Sequence, residues 1–132
     1  MNKVYALGYG NWKVLQDFIN LLKEIRVEVL VDVRRFPTSK NAQFMKENLE
    51  VELPKQAIQY ECMRETLGGF RRGGYQKYTE TEDYRSGIKR LLDIAKNNNV
   101  AIMCVEQSYK YCHSRFIMKT LSNMGINVIP ID

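Results

Sequence analysis

The stretch Val27-Glu28-Val29-Leu30-Val31-Asp32-Val33-Arg34-Arg35-Phe36-Pro37 decides the fold. Val27, Val29, Leu30, Val31 and Val33 are mostly β-branched and nearly continuous. A strand buried on both faces of a parallel sheet has this composition. It ends in charge at Asp32, Arg34 and Arg35, and Pro37 blocks its continuation. Toward the N-terminus, Val4, Ala6 and Leu7 form a shorter apolar run that ends at Gly8-Tyr9-Gly10. Asn11 is then placed to cap a helix. Val14, Leu15, Phe18, Ile19, Leu22 and Ile25 recur at helical spacing, which predicts an amphipathic helix over 12–25.

The same alternation continues toward the C-terminus. Phe44, Met45, Leu49 and Leu53 predict a second helix closed by Pro54, and Ala57, Ile58 and Tyr60 a weak strand. From Arg64 to Thr79 no period is clear, and the stretch reads as a loop. Tyr84, Ile88, Leu91, Leu92 and Ala95 predict a third helix, ended by Asn97-Asn98-Asn99. Val100 to Val105 form a second buried strand. Phe116, Ile117, Leu121 and Met124 predict a fourth helix with Gly125 past its end. Ile126, Val128, Ile129 and Ile131 complete a last strand. Strands alternating with helices define an α/β chain. The expectation is a single three-layer α/β domain over residues 1–132, its mostly parallel β-sheet flanked by helices on both faces.

Composition agrees. A chain of 132 residues has room for one core, and 45% hydrophobic with 27% charged residues is ordinary for a globular protein. The longest stretch without a charge, Thr120 to Ile131, is 12 residues, short of the roughly 18 that span a bilayer. The first residues lack the pattern of a signal peptide. Cys62, Cys104 and Cys112 are odd in number and have no paired spacing, so reduced thiols are expected. A cytoplasmic protein without a membrane partner is the expectation. The net charge of +5 and pI near 9.1 favour anionic partners: a phosphate-containing substrate or nucleic acid.

Ligands of open parallel sheets bind beyond the carboxyl ends of the strands. The predicted strands deliver to that rim Gly8 and Gly10, then Asp32, Arg34 and Arg35, then Cys104 and Glu106. The helix near 113 adds Cys112, His113, Ser114 and Arg115. Gly8-Tyr9-Gly10 reads as a tight turn or as a place where a ligand nears the backbone. It lacks the third glycine of a dinucleotide fingerprint, because Lys13 stands there. Asp32 and Arg34 form either a pair that shapes the strand end or an arginine held for a substrate phosphate. The run Leu67 to Tyr78 mixes Arg71, Arg72 and Lys77 with aromatics and glycines. It is either a phosphate and base grip or a solvated loop.

The cluster Cys104, Glu106, Cys112, His113, Arg115 has four readings. Zinc fits the residue types, but the spacing matches no standard pattern, and no metal or cofactor is expected. Cys112, at a helix N-terminus beside His113 and Arg115, fits a low-pKa nucleophile. Glu106 fits a general acid or base assisted by His113. The fourth reading makes Cys104 a core residue and the helix start a salt-bridged cap. The catalytic candidates are thus Glu106, Cys112 and His113. The anion-binding candidates are Gly8, Gly10, Asp32, Arg34, Arg35, Arg71, Arg72 and Arg115. Asp32, Arg34, Glu106, Cys112 and His113 are expected to share one cleft.

The motifs Gly8-Tyr9-Gly10-Asn11, Leu30-Val31-Asp32-Val33-Arg34-Arg35-Phe36-Pro37-Thr38-Ser39, Leu67-Gly68-Gly69, Met103-Cys104-x-Glu106 and Cys112-His113 resemble those of the domain of unknown function 488 family. The family's second pair usually reads Cys-His-Arg; here Ser114 intervenes and the arginine is Arg115. The resemblance implies the fold and candidate positions but no reaction. The chemistry points to an enzyme acting on a phosphorylated or nucleic-acid-related substrate. The alternative is a non-catalytic nucleic-acid-binding module.

Overall fold

The structure, a computed structural model, describes residues 3–36, 40–69, 71–105 and 113–131. Five strands, β1 (Val4–Gly8), β2 (Val29–Asp32), β3 (Gln59–Cys62), β4 (Val100–Cys104) and β5 (Val128–Ile131), form one sheet in the order β3-β2-β4-β1-β5. The sheet expected to be mostly parallel is parallel at every pairing. The three central strands are buried on both faces, as their unbroken apolar sequences require. Pro130 is tolerated because β5 is an edge strand.

Helices α1 (Leu15–Glu24) and α2 (Lys46–Lys55) cover one face, where Phe18, Leu22, Leu49 and Leu53 pack on Leu7, Leu30 and Met103. Helices α3 (Arg64–Leu67), α4 (Tyr75–Tyr78), α5 (Glu82–Ala95) and α6 (Ser114–Asn123) cover the other. There Leu67, Tyr75, Ile88 and Ile117 pack on Val31, Ile102 and Cys104. Each fully buried aliphatic or Phe side chain contributes about 1.5–3 kcal/mol of apolar transfer. The chain is therefore a three-layer α/β fold.

Four local expectations need correction. The first helix starts at Leu15 instead of 12, and Tyr9–Asn11 is a 3-10 turn, so the N-cap position of α1 is Val14 and not Asn11. The cap of α1 comes from far along the chain: Gln43 Oε1 accepts the Leu15 N–H at 2.8 Å. Pro54 lies inside α2, in its last turn, where a missing N–H removes a single hydrogen bond. The stretch 64–79 holds two short helices. They escaped a periodicity search because four residues are little more than one turn.

Helix ends follow one pattern. The N–H groups of Val27, Ile58 and Ile126 reach back to the carbonyls of Leu22, Leu53 and Leu121, closing α1, α2 and α6 in Schellman fashion. The left-handed residue in each closure is Arg26 (φ 62°), Ala57 (φ 62°) or Gly125 (φ 83°). Only the third is the glycine that sequence would have flagged.

Candidate functional site

The connections leaving β1 and β2 run to the α1/α2 face, and those leaving β3 and β4 to the α5/α6 face. Adjacent strands β2 and β4 send their chains to opposite faces and toward opposite edges of the sheet, away from each other, β2 to β3 and β4 to β5. This is the topological switch point at which parallel sheets open a crevice at their carboxyl rim.

Asp32 ends β2 on the α1/α2 side and is fully buried. Arg34 is 2% exposed and grips it with Nε at 2.9 and 3.1 Å and Nη2 at 2.7 Å. The Arg34 N–H also donates to Oδ1, at 3.0 Å. Nη1 donates to the Phe44 carbonyl at 2.8 Å, and the guanidinium carbon lies 5.3 Å from the Tyr9 ring centre. Tyr60 Oη, from the neighbouring strand, donates to Asp32 Oδ2 at 2.5 Å. Burial lowers the affinity of Arg34 for its proton, but the hydrogen bond and charge of Asp32 outweigh it, and its pKa is raised. Burial and the Asp32 charge both push the Tyr60 phenol well above its usual range. The fork of Arg34 is thus spent on Asp32 and on the chain end of the 3-10 turn at Ala42–Phe44. Sequence reasoning missed Tyr60, which had no marker beyond its place in a weak strand.

The next residue turns the chain toward the other face. Val33 donates its N–H to the Met103 carbonyl at 3.1 Å, and its own carbonyl lies 2.7 Å from His113 Nε2. A carbonyl only accepts, so this contact requires the proton on Nε2 and leaves the lone pair of the neutral ring on Nδ1. The ring packs 4.9 Å from Tyr75. Beneath it lies Gly69, where a Cβ would come within 2.8 Å of Nδ1. At Gly68 a Cβ would overlap the Arg64 carbonyl oxygen and stand 2.9 Å from Cα of Arg35. The two glycines therefore let the segment after α3 pass directly against the end of β2 and the start of α6.

Two cations frame this corner. Arg71 Nε donates to the Gly68 carbonyl at 2.8 Å, and Nη2 to those of Arg64 (3.0 Å) and Glu65 (2.8 Å). Its guanidinium lies 4.0 Å from the Tyr78 ring centre. Arg35 is half-buried, and both arginines act on the Tyr78 hydroxyl. That phenol is raised by burial against the opposing pull of Arg71 and Arg35, with Asp83 reinforcing the rise. Neither Arg35 nor Arg71 forms a salt bridge among the described residues.

The remaining candidates are dispersed. Gly8 ends β1 in extended backbone, and exposed Gly10 sits in the following turn. Arg72 is exposed, and Arg115 is exposed in the first turn of α6 with its guanidinium 4.7 Å from the Phe116 ring centre. Cys104 is buried at the end of β4, 3.8 Å from Ser114 Oγ. Glu106 and Cys112 lie outside the described residues, as does Phe70 of the glycine-rich run. Asp32 and Arg34 face the α1/α2 layer, whereas His113 packs in the α4/α6 layer. The expected common cleft is thus split, for these three, by the strand end itself. The ring of Tyr78 is half-buried, with Arg71 over it. Tyr75 is buried, and the two hydroxyls donate to Leu67 O (2.8 Å) and Thr66 O (2.7 Å). Among the described residues no group of three or more His, Cys, Asp or Glu could hold a metal ion, and no helix is long and apolar enough to cross a membrane.

A parallel α/β fold with a switch-point crevice, a strand end locked by a buried Asp-Arg pair and a histidine seated on a Gly-Gly turn describes the class. The chain belongs to the family described as Domain of unknown function DUF488, whose model matches residues 14–121. No curated protein and no solved structure matches it.

Proposed function

We propose that this protein is an enzyme whose substrate carries a phosphate group, bound at the corner formed by Arg35, Arg71 and His113. The observation that carries this reading is the pair of partly buried arginines around Gly68-Gly69 with no carboxylate bridging them among the described residues. Two cations beside one crevice gain from a shared anion; carbonyls take Nε and Nη2 of Arg71, so it offers a phosphate its charge and Nη1, while Arg35 offers its fork. The three carbonyls that hold Arg71 fix its plane in advance, which lowers the ordering cost of binding. His113 stands beside them with its tautomer set by the Val33 carbonyl. Glu106 and Cys112, in the segment between β4 and α6, are the candidates for acid-base and nucleophilic roles. Arg72 and Arg115 would add to the field that draws the anion in. The nucleic-acid module has less support, since Tyr75 is buried, Tyr78 is half-buried beneath Arg71, and both hydroxyls bind main-chain carbonyls.

Titration of the full chain with inorganic phosphate and with pyrophosphate, followed by amide NMR, tests the reading. Shifts are expected at Arg35, Gly69 and Arg71, and Arg35→Met should weaken binding by about tenfold or more. Absence of these shifts, or an unchanged affinity in Arg35→Met, rejects it. Salt-sensitive binding of a single-stranded oligonucleotide without phosphate-induced shifts would favour the module instead.

A further inference from the structure

A second surface lies away from the rim, along the seam of α5 where that helix meets first α6 and then the α6–β5 connection and the start of β1. One hollow of about 430 Å³ has Tyr84, Ile88, Leu92 and Met124 as its floor, with Arg85 and Lys89 at its edge. A second, of about 580 Å³, is floored by Val4, Leu92, Ala95 and Ile126, with Lys3 and Lys96 at its edge. The two meet at Leu92, so they form one apolar groove that follows α5. That helix has 14 residues and is about 21 Å long.

The charged residues that line the groove are all cations. Arg85, Lys89 and Lys96 are spaced by four and seven residues, which places them on one side of α5 next to the apolar stripe Ile88, Leu92, Ala95. No carboxylate lines either hollow among the described residues. The acids nearest the cations are Glu82, 3.3 Å from Arg85, and Asp93, 3.5 Å from Lys96. Both pairs are solvent-exposed and weak, so they compete poorly with a partner's carboxylate. Met124 is 53% exposed at the seam, and an unbranched thioether adapts to varied apolar side chains.

We infer that this groove docks an acidic amphipathic helix of another protein. The occupant would lay apolar residues at i, i+3, i+4 and i+7 on the floor and set Glu or Asp against Arg85, Lys89 and Lys96. The apolar floor and the basic edge match such a helix. A second copy of the chain or a small anionic amphiphile is the competing occupant.

A phage-displayed library of 16-residue helix-patterned peptides with randomised flanking charges, selected on the full chain, decides the matter. Enriched peptides should be acidic. They should shift the NMR signals of Ile88, Leu92 and Met124 and leave those of Arg35 and Gly69 in place. They should bind the double variant Lys89→Glu, Lys96→Glu about tenfold more weakly. These lysines are exposed, so an unchanged amide spectrum outside the seam verifies that the variant is folded. No enrichment, enrichment without acidic bias, or equal binding to the variant overturns the proposal. So does sodium decanoate shifting the same signals when no peptide does, or concentration-dependent self-association that the variant abolishes.

Discussion

Asp32 and Arg34 are two residues apart, and each makes the other tolerable. A carboxylate fully removed from water is unfavourable by several kcal/mol unless it is paired and its lone pairs are filled. Here Arg34 and Tyr60 fill them, while Arg34 in turn satisfies the Phe44 carbonyl. Arg34→Met should therefore destabilise the fold by about 3–5 kcal/mol, because it strands Asp32 as an unpaired charge. Replacing both residues, as Asp32→Leu with Arg34→Met, should destabilise it less than the single change. Urea denaturation of the two variants checks the order; a double variant less stable than Arg34→Met would contradict it. The sequence posed the choice between a structural pair and a substrate clamp. In the structure Arg34 directs donors to Asp32 and to the Phe44 carbonyl. The neighbouring Arg35 is the one left half-exposed beside the crevice, and nothing in the sequence distinguishes the two.

Elements with many apolar positions were legible. The three central strands and the helices over 82–95 and 114–123 follow from runs and periods of buried residues, and Gly125 marked the end of α6. What failed to show was whatever depends on a distant partner or on a single turn. The cap of α1 is supplied by Gln43, 28 residues away. Helix α3 has its carbonyls tied by Arg71 and by Tyr75 and Tyr78 of α4. In the candidate site, His113 and the two glycines were visible as residue types, but their mutual packing required the third dimension. The helix closures yield a direct test. Ala57 is an exposed non-glycine in left-handed backbone after α2. Ala57→Gly relieves about 1–2 kcal/mol of backbone strain and gives up part of it to the freer unfolded chain. A net gain of about 0.5–1 kcal/mol is expected in thermal or urea melts, and a loss would show that the strain is absent.

Across the molecule, buried phenols couple folding to alkaline pH. Tyr60, Tyr84 and Tyr78 all have pKa values raised above the ordinary 10, chiefly by burial, with the charge of Asp32 adding to it at Tyr60. In the unfolded chain these groups ionise near pH 10, while the folded state keeps their protons. Their contribution to stability is therefore complete below pH 10. It declines above that, as the unfolded state alone releases protons, until the folded pKa values are passed. The urea midpoint should hold between pH 7 and 9 as far as these groups are concerned and drop by pH 11. Tyr60→Phe should lose stability at pH 8, through the vacated Asp32 oxygen, yet show a shallower fall from pH 9 to 11. A parallel fall in the two proteins would remove Tyr60 from the account. The strand order carries a consequence for the chain as it is made. β1 finds both of its neighbours, β4 and β5, near the far end of the sequence, with Val4 aligned to Val100 and Val128. At about 5–20 residues per second, a ribosome leaves this apolar strand without a partner for roughly 5–20 s before β4 follows. β1 can thus be enclosed on both sides only after β4 and β5 have been made, and until then it is an unpaired apolar strand of the kind a holdase chaperone binds.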